Sequence, residues 1–237
     1  MKSIFNWSGG KDSTLCLHKV LQEGNYIIAT LLTTLSSTNS RVTMHGVRQE
    51  LLEQQAKSIG FPLEELYLPE AASMEAYNQV MQTALSTYRA KGLTHAIYGD
   101  INLEDLRLYR EKELEKVGIE AVFPLWAKPT PELVREFIQF GYKAVVVAVN
   151  ARLLDRTFAG RALDESFLND LPANVDPCGE NGEFHTFVYD GPIFQSPVRF
   201  ELGELVFKSY GAAASSDEEP APNYDTGFWF QDLIPAQ

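Results

Sequence analysis

From residue 2 to residue 126 the chain alternates short apolar or β-branched runs with segments whose apolar residues recur every three to four positions. KSIFNW (2–7) reads as a strand, and a helical pattern over 13–23 follows it and stops at Gly24. YIIATLLTTL (26–35) is almost continuously apolar and β-branched, the composition of a strand buried on both faces of a parallel sheet. After the polar stretch 36–46, Val47, Leu51, Leu52, Ala56 and Ile59 mark a helix face up to Gly60, and PLEELYLPE (62–70) gives a third strand. Met74, Tyr77, Met81, Ala84, Leu85 and Tyr88 mark the next helix, THAIYGD (94–100) the fourth strand, LEDLRLYREKELEKVG (103–118) a charged helix and IEAVFPLW (119–126) the fifth strand. Parallel strands need a crossover, and helices of this length supply one. The pattern therefore predicts an α/β fold with a doubly wound parallel sheet.

The second half reads differently. A helix over 131–140 leads into KAVVVAVN (143–150), a short acidic helix near 163–170, and then Gly- and Pro-punctuated β-like segments. This predicts a smaller α+β domain over 127–237, after a first domain over 1–126. GAAASSDEEPAP (211–222) has the small, polar, acidic composition of a flexible loop. TGFWFQDL (226–233) carries Phe228, Trp229 and Phe230 and is too aromatic to stay in solvent, so it is expected back on the body as an edge strand or a lid, with the aromatic trio in the core.

Composition narrows the functional classes. With 45% hydrophobic residues in 237, the chain can bury real cores. No apolar run approaches the roughly 18 residues of a membrane helix, and the first residues run straight into a strand pattern in place of a secretory signal, so a cytoplasmic location is expected. Cys16 and Cys178 are the two cysteines and form no CxxC pair, which supports neither a disulfide framework nor a cysteine zinc site. A net charge of −12 argues against a protein whose main business is gripping nucleic acid.

The sharpest local feature is Ser8-Gly9-Gly10-Lys11-Asp12-Ser13, at the junction of the first strand and first helix. Such a turn gathers free backbone N–H groups and the positive end of a helix dipole, which makes an anion site. Two glycines allow close backbone approach, two serines add hydroxyls and Lys11 adds charge. A plain strand-to-helix turn capped by Asp12 or Ser13 needs one glycine at most and no lysine. Neither GxxxxGK[ST] nor GxGxxG is present, since Phe5 stands where the first glycine is required and Asp12 follows the lysine.

Three further groups stand out. Gly99 and Asp100 close the fourth strand, at the sheet edge where ligands bind, and Asp100 reads as a metal or nucleotide ligand or as a helix-capping turn residue. Downstream, Glu104, Asp105, Arg107 and Arg110 read most simply as a solvated helix face with i,i+3 charge pairs, the alternative being that one of them faces an acceptor. Met44-His45-Gly46 lies in the loop after the second strand, where His45 is either a contact to the nucleotide or the acceptor or a loop or cap residue. Cys178-Gly179-Glu180-Asn181-Gly182-Glu183-Phe184-His185-Thr186 packs glycines, acids and a histidine into nine positions and reads as a binding loop. Cys178 itself is expected to be a small packed residue.

SGGKDS resembles the SGGxDS pyrophosphate loop (PP-loop) of the N-type ATP pyrophosphatases. That resemblance implies a Rossmann-like, adenine nucleotide alpha hydrolase-like sheet, cleavage of ATP between the α and β phosphates, and a loop that holds the departing pyrophosphate. Together with GD at the fourth strand, EDLRxYRExxL (104–114), FPLW (123–126) and CGENGEFHTFVYDGPIF (178–194), the chain from residue 4 to about 200 is similar to the diphthine-ammonia ligase family. Within the superfamily, CGExGE followed by Asp190, Pro192 and Phe194 is what points there.

The resemblance implies ATP-dependent amidation, by ammonium, of the diphthine carboxylate on elongation factor 2, with AMP and pyrophosphate released. It casts Ser8, Gly9, Gly10, Lys11, Asp12 and Ser13 as the pyrophosphate cradle, with Gly99 and His45 also at the nucleotide. Lys11, Asp100 and Glu183 become the catalytic candidates, Asp12 and Asp100 the magnesium ligands, and Glu180, Asn181, Gly182, His185, Thr186 and Arg107 the acceptor contacts, with Glu180 behind Glu183. Two positions depart from the family pattern CGEGGEYET: Asn181 replaces a glycine and His185 an acid. They leave open an adenylating ligase for another small carboxylate, and a non-catalytic ATP-binding module is the third reading. A tRNA thiolase would call for paired cysteines and a basic face, and the sequence has neither.

Overall fold

A computed structural model describes residues 1–43, 45–69, 73–210 and 226–236. Strands β1 (Lys2–Asn6), β2 (Ile27–Ser36), β3 (Leu63–Leu68), β4 (His95–Ile97) and β5 (Glu120–Val122) form one sheet in the order β3-β2-β1-β4-β5, every pair parallel. Helices α1 (Lys11–Glu23), α2 (Gln49–Ile59), α3 (Met74–Ala90) and α4 (Glu104–Glu115) make the crossovers. Residues of α1 and α2 belong to one buried cluster and those of α3 and α4 to another, so the sheet is covered on both faces. This is the doubly wound fold expected from the alternation. Strand order reverses between β1 and β4, which opens a crevice at their carboxyl ends, where Trp7–Ser13 and Tyr98–Asp100 lie. Both β4 and β5 are three residues long, shorter than their apolar runs, because Tyr98–Asp100 and Phe123–Trp126 leave the sheet to form its edge loops.

After α5 (Thr130–Gln139), β6 (Lys143–Asn150) begins a second sheet, with a short 3-10 turn at Arg156–Phe158 and α6 (Glu165–Asp170) in between. β7 (Phe184–Asp190), β8 (Phe200–Tyr210) and β9 (Thr226–Pro235) complete it in the order β7-β6-β9-β8, every pair antiparallel. The last aromatic strand is therefore not an edge strand or a lid. β9 pairs with β6 through Phe228, Trp229 and Phe230 and with β8 along its whole length, so β8 takes the edge. The trio is half-buried, with Trp229 against the core and tilted on Phe207 at 5.0 Å between ring centroids. The expected flexible loop over 211–222 lies outside the described residues.

One apolar cluster joins the two sheets, running from Phe5, Leu15 and Leu51 through Phe137 and Tyr142 to Val146 and Phe187. The second sheet thus packs on the α1/α2 side and brings β7 to the crevice. Among the described residues no helix is long and apolar enough to cross a membrane.

Candidate functional site: a phosphate loop gripped by the second sheet

The PP-loop turns directly off β1. Gly9 adopts φ +77°, a left-handed conformation open to glycine at little cost, and α1 starts at Lys11 with Gly10 as an N-cap that supplies no side-chain hydrogen bond. Its N-terminal dipole is left for a ligand. The Ser8 and Ser13 hydroxyls lie 3.1 Å apart, and Ser8 Oγ accepts from the Gly10 N–H at 3.3 Å. Ser13 and Thr14 donate to the Gly10 carbonyl at 3.0 and 2.9 Å, which locks the first turn.

Lys11 joins the two halves of the molecule. Its backbone N–H donates to Thr186 Oγ1 at 3.0 Å, and its ammonium donates to Asp12 at 2.8 Å and to the Cys178 carbonyl. The Phe184 ring lies 5.5 Å from Nζ. Burial works against the ammonium, yet Asp12, Cys178 and Glu180 together outweigh it and raise the pKa above the ordinary lysine value. Lys11 is a fixed buried cation.

The CGENGE segment closes on itself. Glu183, 1% exposed, accepts from the Asp176 N–H at 3.0 Å, the Asn181 N–H at 2.8 Å and the Asn181 side-chain amide at 3.0 Å. Asp176, a residue the sequence did not flag, accepts from the Cys178 N–H at 2.8 Å and the Thr130 hydroxyl at 2.5 Å. The expectation that Glu183 faces magnesium or the acceptor is corrected, because its oxygens are taken up in shaping the loop. Glu180 is instead partly buried, within electrostatic reach of Asp12, Lys11, Asp100 and Asp176. Burial, then the charges of Asp12, Asp100 and Asp176, push its carboxyl up to about 7. Asp12 is raised as well, by burial that exceeds the pull of Lys11. A Cβ added at Gly182 would meet nothing within 4 Å, so this glycine does not line a tight contact. Cys178 is buried, with Sγ 3.3 Å from the Thr130 carbonyl, the packed residue expected of it.

Around the crevice, Asp100 is held by both arms of Arg110, at 2.6 Å from Nε and 3.2 Å from Nη2, and that guanidinium stacks 4.2 Å over the Tyr98 ring. Each carboxylate oxygen thus accepts one bond from Arg110, which fixes the orientation of Asp100 at the crevice. Gly99 packs against the start of α1. A Cβ there would lie 3.0 Å from the Asp12 carbonyl group, so glycine lets α1 pack closely on the end of β4. Arg107 pairs with Glu111 at 2.7 Å and stacks on Trp126 and Phe123, at 4.7 and 5.4 Å from their centroids. Its guanidinium is already packed on the FPLW segment.

His45 lies over the loop, with Cε1 3.2 Å from the position of a Cβ on Gly10. Its ring centroid is 4.6 Å from that of His185, and Nδ1 is buried without a hydrogen-bond partner. Burial lowers His45 to about 4 and His185 well below the ordinary histidine value, so both imidazoles are neutral. Arg41 and Arg48 both grip Asp232 of β9, at 2.8 and 2.7 Å, and Arg41 also holds the Gly46 carbonyl at 2.7 Å. Met44 lies outside the described residues.

The chain's own groups fit a phosphate better than a caged metal. Among the described residues no three His, Cys, Asp or Glu side chains are arranged to hold a metal ion. Crowded acids beside an uncapped helix start suit magnesium that arrives with phosphate oxygens in its coordination sphere. Gln55 was also missed, although its position gave a signal. It is a polar residue four places after Leu51 on the buried face of α2.

Models of the two diphthamide synthase domains match this chain, the N-terminal domain over residues 1–121 and the C-terminal domain over 129–212. The chain belongs to the diphthamide synthase family. Diphthine–ammonia ligases of Rattus norvegicus and Homo sapiens are each 28% identical to it, over 87% of this chain and 85% of theirs. The Danio rerio enzyme of the same name is 24% identical over 87% of this chain and 89% of its own. Both family domains meet at Lys11, whose contacts run from the PP-loop to Cys178 and Thr186.

Proposed function

We propose that this protein is an ATP-dependent ligase that converts a carboxylate to its acyl adenylate, releases pyrophosphate and amidates the carboxylate with ammonium, the acceptor being diphthine on elongation factor 2. The observation that carries this reading is the junction at Lys11, where the PP-loop and the CGENGE segment share one buried cation. A carboxylate is a poor electrophile, and ammonia displaces AMP from an adenylate far more readily than hydroxide from an acid.

Ser8 to Ser13 hold the β and γ phosphates against the start of α1, and Lys11 stabilises the charge that gathers on them as the α–β bond breaks. Asp12 and Glu180 would hold magnesium together with the phosphate oxygens; when bound, the ion supplies further positive charge to the leaving group. Asp100, oriented by its ion pair with Arg110, adds its negative charge to the field at Glu180. Asn181 and His185 both have partners inside the protein, Glu183 and His45, so their departure from the family pattern is absorbed by the fold. An acceptor on a translation factor implies a reaction in the cytoplasm.

The test is phosphorus NMR of ATP turnover with magnesium and ammonium, with and without diphthine-bearing elongation factor 2. AMP and pyrophosphate formed only with the factor support the reading. ADP and phosphate overturn the adenylate route, and AMP release with small carboxylates in place of the factor reassigns the acceptor. ATP binding without any turnover makes the chain a nucleotide-binding module.

A further inference from the structure

We infer that Gln55 is the positioning residue that sets the PP-loop for the β and γ phosphates of ATP, an inference that rests on the reading of that loop given above. Gln55 is completely buried on the core face of α2. Burying an amide is unfavourable unless its donors and acceptor are satisfied. Here they are: Oε1 accepts from Trp7 Nε1 at 3.1 Å, and Nε2 donates to the carbonyls of Gly9 at 3.0 Å and Val188 at 2.5 Å. An indole N–H only donates and a backbone carbonyl only accepts, so the amide has one possible orientation.

Its partners sit on the end of β1, on the first glycine of the loop and on β7. The Val188 N–H donates to the same Gly9 carbonyl at 2.9 Å, so that oxygen is pinned from two sides. In a trans peptide the carbonyl and the following N–H point in opposite directions, and no peptide among the described residues is cis. Pinning the Gly9 oxygen toward α2 and β7 therefore turns the Gly10 N–H outward. That N–H meets Ser8 Oγ at a long 3.3 Å, a bond that an anionic phosphate oxygen can displace. The contact is also tight sterically, since a Cβ on Gly9 would come within 2.6 Å of Gln55 Oε1. Gln55 touches no phosphate and acts through the peptide it holds.

Titration calorimetry of the full chain with ATP, pyrophosphate and AMP tests this, comparing wild type with Gln55→Glu and Trp7→Phe. Gln55→Glu keeps the acceptor for Trp7 but sets an oxygen against two carbonyls, while Trp7→Phe unhooks the other end of the amide. The expected result is a loss of about tenfold in affinity for ATP and for pyrophosphate in Gln55→Glu, with AMP binding unchanged. Trp7→Phe should show the same split at about threefold, and it carries the test alone if Gln55→Glu does not fold. A merely structural role would lower the melting temperature and leave the ratio of ATP to AMP affinity where it was. Parallel loss of ATP and AMP, or ATP affinity unchanged in folded variants, overturns the inference. If wild-type protein binds no pyrophosphate, the reading of the loop fails, and this inference fails with it.

Discussion

The backbone N–H of Lys11 donates to the hydroxyl of Thr186 across 175 positions of sequence. Both residues are buried, so a strand of the second sheet supplies the partner for the first N–H of α1. Neither half of the chain presents a finished loop by itself.

Thr186→Val keeps the volume and removes the acceptor. A buried N–H left unpaired costs about 1–3 kcal/mol, so urea unfolding should show a loss of that size, accompanied by weaker ATP binding. Unchanged ATP affinity in the folded variant would separate the hydrogen bond from the phosphate site.

Glu183→Gln replaces a carboxylate that accepts from three N–H donors by an amide whose NH2 must face at least one of them. The expected effect is a stability loss of about 1–3 kcal/mol, with faster proteolytic cleavage at 179–182. An intact stability curve with turnover abolished would return Glu183 to the chemistry.

Of the fold, the sequence revealed what depends on local pattern. The βαβ alternation, the PP-loop and the CGENGE segment were readable because each is encoded by neighbouring residues. Long-range pairing was not. The place of β9 inside the second sheet depends on β8 covering it, and nothing in TGFWFQDL distinguishes that from an edge. At the site, Asp100 and Glu183 looked like free acids because their partners, Arg110 ten residues on and the loop's own backbone, become visible only in three dimensions. That Glu180, earlier in the same motif, sits among Asp12, Asp100 and Asp176 is visible only in three dimensions for the same reason. Gln55 was the legible exception, a polar side chain on an apolar helix face.

Asp232 anchors the loop that carries His45, through Arg41 and Arg48. Burial works against its charge, but the two guanidiniums win and hold its pKa at about 2, below the ordinary 3.8. A depressed carboxyl pKa means stability that is present above the ordinary value and is lost as pH falls through the lower one. Asp232→Asn should therefore flatten the acid limb of the stability curve. Because Arg41 and Arg48 are partly exposed, the loss near neutrality should be about 1 kcal/mol. Unfolding midpoints of both proteins at several acid pH values check it.

His45 predicts the opposite kind of linkage. Burial takes its pKa from 6.5 down to about 4. Between those values the unfolded chain binds a proton that the folded protein refuses, so stability falls as pH drops from 6.5 toward 4. Going from about pH 7.5 to about pH 5, this one group should remove about 2 kcal/mol. His185, tilted against it at 4.6 Å between centroids and also lowered, adds a loss of the same sign. In His45→Asn the first contribution disappears and the second shrinks, since removing one imidazole admits water to the other. Chemical denaturation at the two pH values should then show the variant losing less stability than wild type on acidification. Equal losses would mean that the His45 ring is solvated in the folded state, and its place over Gly10 would have to be abandoned.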